Sequence, residues 1–241
     1  MKFVDAREPS GGKPVGRRVV FGMLGLGAAG VVFGSSVSRA VQDALSSLGS
    51  NGSSIAGLVP GGGYFQLYTV TGGYPTTPED YQLVVDGLVE RPLKLGLAEL
   101  GALPALSIVR PFQCVTGWRV DSVHWTGVPL RHLLDLAGLA PGATALWFFS
   151  FDGVYTESLT LDQARLPDVL VAYKMLDGPV SREHGGPVRL YVPEMYGYKS
   201  IKWLQRISVV DKVVPGYWED YGYAVNAWIG RSNGYNGAGI S

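Results

Sequence analysis

The chain's 241 residues are 46% hydrophobic and 11% aromatic, enough to close a sizeable core, which excludes disorder along most of its length. Twenty lysines and arginines balance twenty aspartates and glutamates, so no net field draws it to nucleic acid or to an anionic membrane surface. A single cysteine, Cys114, excludes an internal disulfide and leaves its thiol four roles: buried hydrophobe, intermolecular bridge, nucleophile, or ligand to a metal or cofactor.

In chain order, a polar start ends in Gly16-Arg17-Arg18, and residues 19–33 then run without a charge. Adjacent arginines before a short, glycine-rich apolar segment have the pattern of a twin-arginine export signal, a route for proteins already folded around a cofactor. That segment is shorter than the roughly twenty residues that cross a bilayer, which favours a signal over a span. Arg39, in the middle of Ser38-Arg39-Ala40, makes a poor cleavage site and keeps an uncleaved membrane anchor open. Residues 1–40 are thus expected to be a signal or anchor that places the remainder outside the cytoplasm. Residues 41–63, rich in Ser, Gly, Asn and Ala, read as a linker, 64–230 as the folded domain and 231–241 as a flexible tail.

Within the domain, 81–89 alternates as a strand with a turn at Asp86-Gly87, and 95–103 suits a short helix broken by Pro104. Thr126-Gly127-Val128-Pro129 reads as a turn. Leu130, Leu133, Leu134 and Ala137 then share one face of a helix over 130–137, stopped by Gly138. A buried strand is expected over 145–151, turning at Asp152-Gly153 into a partner over 154–161, with further strands over 187–192 and 201–210. Strands outnumber short helices without regular alternation, so the fold class is α+β with mixed, largely antiparallel sheets.

Cys114 sits between bulky and glycine-containing neighbours, Pro111-Phe112 before and Gly117-Trp118 after, as a positioned thiolate requires. Arg110 and Arg119 are placed to favour the thiolate electrostatically. Farther on, His184, Arg189, Lys199 and Lys202 lie in glycine-punctuated loops flanking strands. Such loops let cationic side chains and backbone amides converge on an anion, most plausibly a phosphate. Asp152 and Asp177 precede glycines and read as turn residues. Trp118, Trp125 and Trp203 read as packing.

Seven fragments in register carry a resemblance. They are Cys114-x-x-Gly117-Trp118-Arg119, Trp125-x-Gly127-Val128-Pro129-Leu130, Ser150-x-Asp152-Gly153, Ala172-Tyr173-x-Met175, His184-Gly185-x-Pro187-x-Arg189, Lys202-Trp203-Leu204 and Gly216-Tyr217-Trp218-x-x-x-Gly222-Tyr223. Over roughly residues 65–223 the chain resembles the molybdopterin oxidoreductases of the sulfite oxidase type, which include protein-methionine-sulfoxide reductase catalytic subunits. The resemblance implies a molybdenum-molybdopterin cofactor with Cys114 as its protein ligand. It implies cofactor contacts from Tyr68, Thr69, Ser150, His184, Arg189, Ser200, Ile201 and Lys202, and a catalytic Tyr223 near the metal's open face.

Two departures bear on substrate. Where sulfite oxidases carry an arginine for the sulfite anion, Thr69 stands, and a threonine lacks that charged fork. Where the methionine-sulfoxide reductases carry an asparagine, His184 stands. The expected activity is two-electron oxygen-atom transfer, with reduction of a small-molecule or protein-bound sulfoxide, or a similar oxide, favoured over sulfite oxidation. The expected partner is an external redox carrier, a membrane haem protein or a cytochrome, with no nucleic acid. A non-catalytic exported binding domain and a thiol enzyme using Cys114 with His184 as base are the alternatives.

Overall fold

The computed structural model describes residues 65–232. The expected signal or anchor (1–40), the expected linker (41–63) and residues 233–241 of the expected tail (231–241) lie outside the described residues. Among the described residues ten strands form two sheets. In the first, β1 (Leu83–Gly87), β2 (Leu93–Leu95), β5 (Ala145–Ser150), β6 (Thr156–Thr160) and β10 (Leu204–Val210) are ordered β2-β1-β10-β5-β6. Only the β1–β10 pair is parallel. The second sheet orders β3 (Leu106–Gln113), β4 (Arg119–Pro129), β7 (Leu170–Met175) and β8 (Gly178–Pro179), with β9 (Arg189–Tyr191) also pairing β7. All its pairs are antiparallel. The largely antiparallel α+β class expected from the sequence is the one observed.

Alternation decides which face of each strand is buried. On β1, Leu83 and Val85 are fully buried while Val84 and Asp86 are not. On β5, Leu146 and Phe148 point inward. Helix α2 (Leu130–Ala137) lays Leu130, Leu133, Leu134 and Ala137 into the same core and ends at Gly138, whose φ of 67° suits a glycine. Helices α1 (Leu97–Ala102) and α3 (Leu161–Ala164) are short; Thr160 caps α3 by accepting the N–H of Gln163.

Strand β7 buries both faces. Val171 joins the main core, whereas Leu170 and Ala172 join a second, aromatic cluster with Phe112, Trp118, Trp125 and Tyr191. Within that cluster Trp125 stacks on Tyr191 at 4.1 Å. This second cluster underlies the site described below.

Three local expectations are corrected. Residues 126–129 are not a turn: they complete β4, with a register shift at Thr126/Gly127 and Pro129 at the strand's end, where the missing N–H costs least. Asp86 and Gly87 belong to β1, and the chain turns only after them. The hairpin β3–β4 and the buried strand β7 have no counterpart among the expected strands.

Candidate active site

Cys114 opens the loop that joins β3 to β4. Its N–H donates to the Trp118 carbonyl (2.9 Å) and its carbonyl accepts from Gly117 (3.1 Å), so the thiol is held by a closed turn. The sulfur is half-buried and accepts a hydrogen bond from the Thr116 hydroxyl at 3.2 Å. It faces a cavity of about 510 Å³ with two unlike sides.

One side is cationic. Arg189, at the start of β9, is 3% exposed, and its guanidinium donates to the carbonyls of His184 (2.6 Å) and Ser200 (2.9 Å). It also lies over the faces of Phe112 and Trp125. Among the described residues no carboxylate pairs with it, and burial pushes its pKa down to about 10. Lys202 donates to the Tyr68 carbonyl at 2.5 Å and sits 4.3 Å from the Trp203 ring. Burial and Arg189 bring it down to about 8. His184 is held to about 4 by burial, then by the charges of Arg189 and Lys202, so it is neutral at pH 7. The His184 and Lys202 loops meet at Gly185, where φ is +101° and a Cβ would lie 2.6 Å from that of Lys202; only glycine fits.

The other side is aromatic: Tyr155, Tyr198, Tyr217, Trp218 and Tyr223. The Tyr223 ring lies edge-on to Tyr198 at 5.5 Å and against Trp218 at 5.2 Å. Residues 65–70 close the rim, with Phe65 edge-on to His184 at 4.8 Å. Thr69 turns its hydroxyl to the Gly73 carbonyl (2.8 Å).

Of the residues singled out from sequence, Cys114, Tyr223, Tyr68, Thr69, His184, Arg189, Ser200, Ile201 and Lys202 all line this one cavity. Ser150 does not. It is buried behind the wall, where its hydroxyl accepts the N–H of Asp152 (3.1 Å). Asp152 lines the cavity in its place. One of its oxygens accepts from Val154 and Tyr155, making the expected turn, while Oδ2 is buried without a hydrogen-bond partner. The Asp-Gly pair signalled the turn and hid the second oxygen.

Two electrostatic expectations also change. Arg110 pairs with Asp168 and Arg119 with Asp121, both at 2.6 Å, so neither is committed to the thiol. Lys199 points away from the cavity into a buried pair of carboxylates.

The profile of the oxidoreductase molybdopterin binding domain matches residues 71–218, and the chain belongs to that family. It is 35% identical over 144 residues to the "Uncharacterized oxidoreductase YuiH" of Bacillus subtilis, covering 59% of this chain and 72% of that one. It is 30% identical to the sulfite oxidase of Arabidopsis thaliana (60% of this chain, 46% of that one). To the protein-methionine-sulfoxide reductase catalytic subunit MsrP of Gluconobacter oxydans it is 32% identical (62% and 54%). The chain therefore spans only about half the length of the last two. Among solved structures, the sulfane dehydrogenase SoxCD of Paracoccus pantotrophus shares the fold, with a TM-score of 0.53 at 24% identity over 63% of this chain and 46% of that one.

The family's cofactor is molybdenum-molybdopterin, and the residues present suit it. Cys114 supplies one soft thiolate ligand at the cavity, and among the described residues no group of three or more His, Cys, Asp or Glu side chains could hold a metal, an arrangement that suits a metal whose other ligands an organic group brings. The cavity also offers the buried guanidinium of Arg189, which among the described residues has carbonyl acceptors but no carboxylate partner, for an anion. Two orphaned polar atoms, the donor Trp118 Nε1 and the acceptor Asp152 Oδ2, lie in its walls.

Proposed function

We propose that the chain is an exported molybdenum-molybdopterin oxidoreductase that reduces a sulfoxide or similar neutral oxide, drawing electrons from an external carrier. The observation that carries this reading is the buried guanidinium of Arg189, which faces no carboxylate among the described residues, on the wall of the cavity that holds Cys114. A buried cation without a counter-ion is costly, and an anionic group of the ligand removes that cost.

When bound, the cofactor supplies two-electron oxygen-atom transfer. Cys114 is the metal's protein ligand. Arg189 and Lys202 face the phosphate, with Ser200 and Ile201 contributing from the segment between them. His184, neutral at working pH, offers a hydrogen bond in place of a charge. Tyr68, Thr69 and the free oxygen of Asp152 complete the contacts. The Tyr223 hydroxyl orients the oxygen of the substrate.

The choice of a neutral oxide follows from the rim. Thr69, with its hydroxyl tied to Gly73, provides no fixed charge for an oxyanion, and Tyr155, Tyr198, Tyr217, Trp218 and Tyr223 give the same cavity an aromatic lining. The thiol-enzyme alternative finds no support in the geometry, since the Cys114 sulfur accepts from Thr116 and no hydrogen bond joins it to His184. The donor of electrons is an external haem protein or cytochrome, as the family resemblance implies.

Elemental analysis of protein recovered from the exported fraction of a molybdopterin-producing strain is expected to give one molybdenum per chain. The same protein is expected to turn over dimethyl sulfoxide with reduced viologen as donor. Cys114→Ser should lower turnover more than about a hundredfold, beyond what loss of a supporting contact costs, with the thermal midpoint nearly unchanged. Wild type without molybdenum ends the proposal. A preference for sulfite, assayed with ferricyanide as acceptor, reverses its direction.

A further inference from the structure

Beneath the aromatic side of the cavity lies a charged cluster that the chemistry above does not use. The side chains of Lys199, Glu157 and Glu219 are 0%, 0% and 1% exposed. Lys199 Nζ donates to Glu157 Oε1 at 2.5 Å and to Glu219 Oε1 at 2.6 Å. The second oxygen of Glu219 accepts the Gly216 N–H at 2.6 Å. Glu157 Oε1 also accepts from the Ser158 N–H, and among the described residues no donor reaches the buried Glu157 Oε2. Two carboxylates against one ammonium leave an excess negative charge that a proton on this free oxygen would balance.

The three residues come from three segments, each of which also lines the cavity. Glu157 lies on β6 just past Tyr155, Lys199 lies between Tyr198 and Ser200, and Glu219 follows Tyr217 and Trp218 and precedes Tyr223. Segment 216–223 rests directly on β6. The Tyr217 N–H donates to the Thr156 carbonyl at 3.0 Å, and a Cβ on Gly216 would lie 2.7 Å from that same oxygen. A buried ion triad adds little stability over apolar side chains of equal volume, but its hydrogen bonds fix direction.

We propose that Lys199, Glu157 and Glu219 are positioning residues that fix segment 216–223, and with it Tyr217, Trp218 and Tyr223, against the cavity. The inference rests on the reading of that cavity's aromatic side as the place where the oxide substrate sits. It assigns the triad to substrate binding through the wall, and leaves cofactor retention to the cationic side.

Glu219→Gln tests it, because the amide keeps the shape and an acceptor for Gly216 while removing the charge facing Lys199. In the loaded protein, backbone amides of 216–223 should exchange hydrogen at least about tenfold faster, with β1 and β5 unchanged. The KM for dimethyl sulfoxide should rise about tenfold with a smaller fall in kcat, at unchanged molybdenum per folded chain. If Glu219→Gln does not accumulate folded, Lys199→Arg, which keeps the charge but changes the donor geometry, is measured in the same way and carries the same expectations. Unchanged wall exchange overturns the proposal, as does a uniform acceleration across β1, β5 and the wall, or a loss of molybdenum that accounts for the lost activity. A wild type that holds no molybdenum or ignores the oxide overturns the proposed function alone. The exchange rates of the wall still decide the triad.

Discussion

Arg189 and Lys199 are two buried cations on the same short stretch of chain, and their surroundings are opposite. Arg189 meets carbonyls and aromatic faces, no carboxylate faces it among the described residues, and burial lowers its pKa to about 10. Lys199 is also penalised by burial, but the carboxylates of Glu157 and Glu219 outweigh that penalty and raise its pKa. Removing an ion from water costs several kcal/mol unless something compensates. For Lys199 the compensation is within the chain, so its charge serves architecture. For Arg189 carbonyls and aromatic faces compensate in part, but no carboxylate among the described residues supplies the counter-charge, which points its charge to a ligand.

That contrast gives two substitutions with opposite signatures. Lys199→Met strands two carboxylates in the core and should destabilise the cofactor-free chain by about 3–5 kcal/mol in denaturant unfolding. Molybdenum per folded chain should stay near the wild-type value. Arg189→Met should do the reverse. Cofactor affinity should fall by more than about a hundredfold, read as molybdenum and pterin retained after dialysis, because a buried charge pair loses one member. Stability of the cofactor-free chain should change by less than about 2 kcal/mol, since the carbonyl hydrogen bonds lost are offset by relief of an unpaired buried charge. If Arg189→Met destabilises the empty chain more than Lys199→Met does, the distinction between the two cations fails.

The same contrast marks what the sequence could reveal. Cys114, His184, Arg189 and Lys202 are singled out by the resemblance their short motifs carry, and the fold brings all four to one cavity. Residue type and loop setting alone put Lys199 beside Lys202, and only the resemblance sets Lys202 apart; the partners of Lys199 lie 42 and 20 residues away, and only the packed chain brings them near. Asp152 was half legible: Asp-Gly predicts the turn its first oxygen makes and says nothing of the second. Among the elements, α2 declared itself by helical period and β5–β6 by an apolar run with an Asp-Gly break. Strand β7, buried on both faces, has no alternation to read, and β3 carries exposed Ser107 and Arg110 that dilute its pattern. Residues 126–129 misled because Gly and Pro punctuate a strand end as readily as a turn.

The smallest expected effect separates the empty from the loaded cationic side by pH. Lys202 has its folded pKa lowered from 10.5 to about 8, first by burial and then by Arg189. Between those values the unfolded chain holds a proton that the folded one has shed, so stability of the cofactor-free protein should rise with pH from about 8 to 10.5. His184 repeats the pattern lower down: with its pKa lowered from 6.5 to about 4, stability should fall as pH drops through that window. Thermal midpoints of the empty protein should isolate the alkaline slope by comparison with Lys202→Met and the acid slope by comparison with His184→Gln. The comparisons are needed because Glu157, raised to about 8 by burial, adds an opposite slope between 4.5 and 8 that both of them cancel. In the loaded protein an anion beside Lys202 favours the ammonium and lifts its pKa, so the alkaline rise should vanish and cofactor retention should decline once that ammonium is titrated. An alkaline rise that persists unchanged after loading would mean that no anion reaches Lys202, leaving Arg189 as the sole cation facing the phosphate.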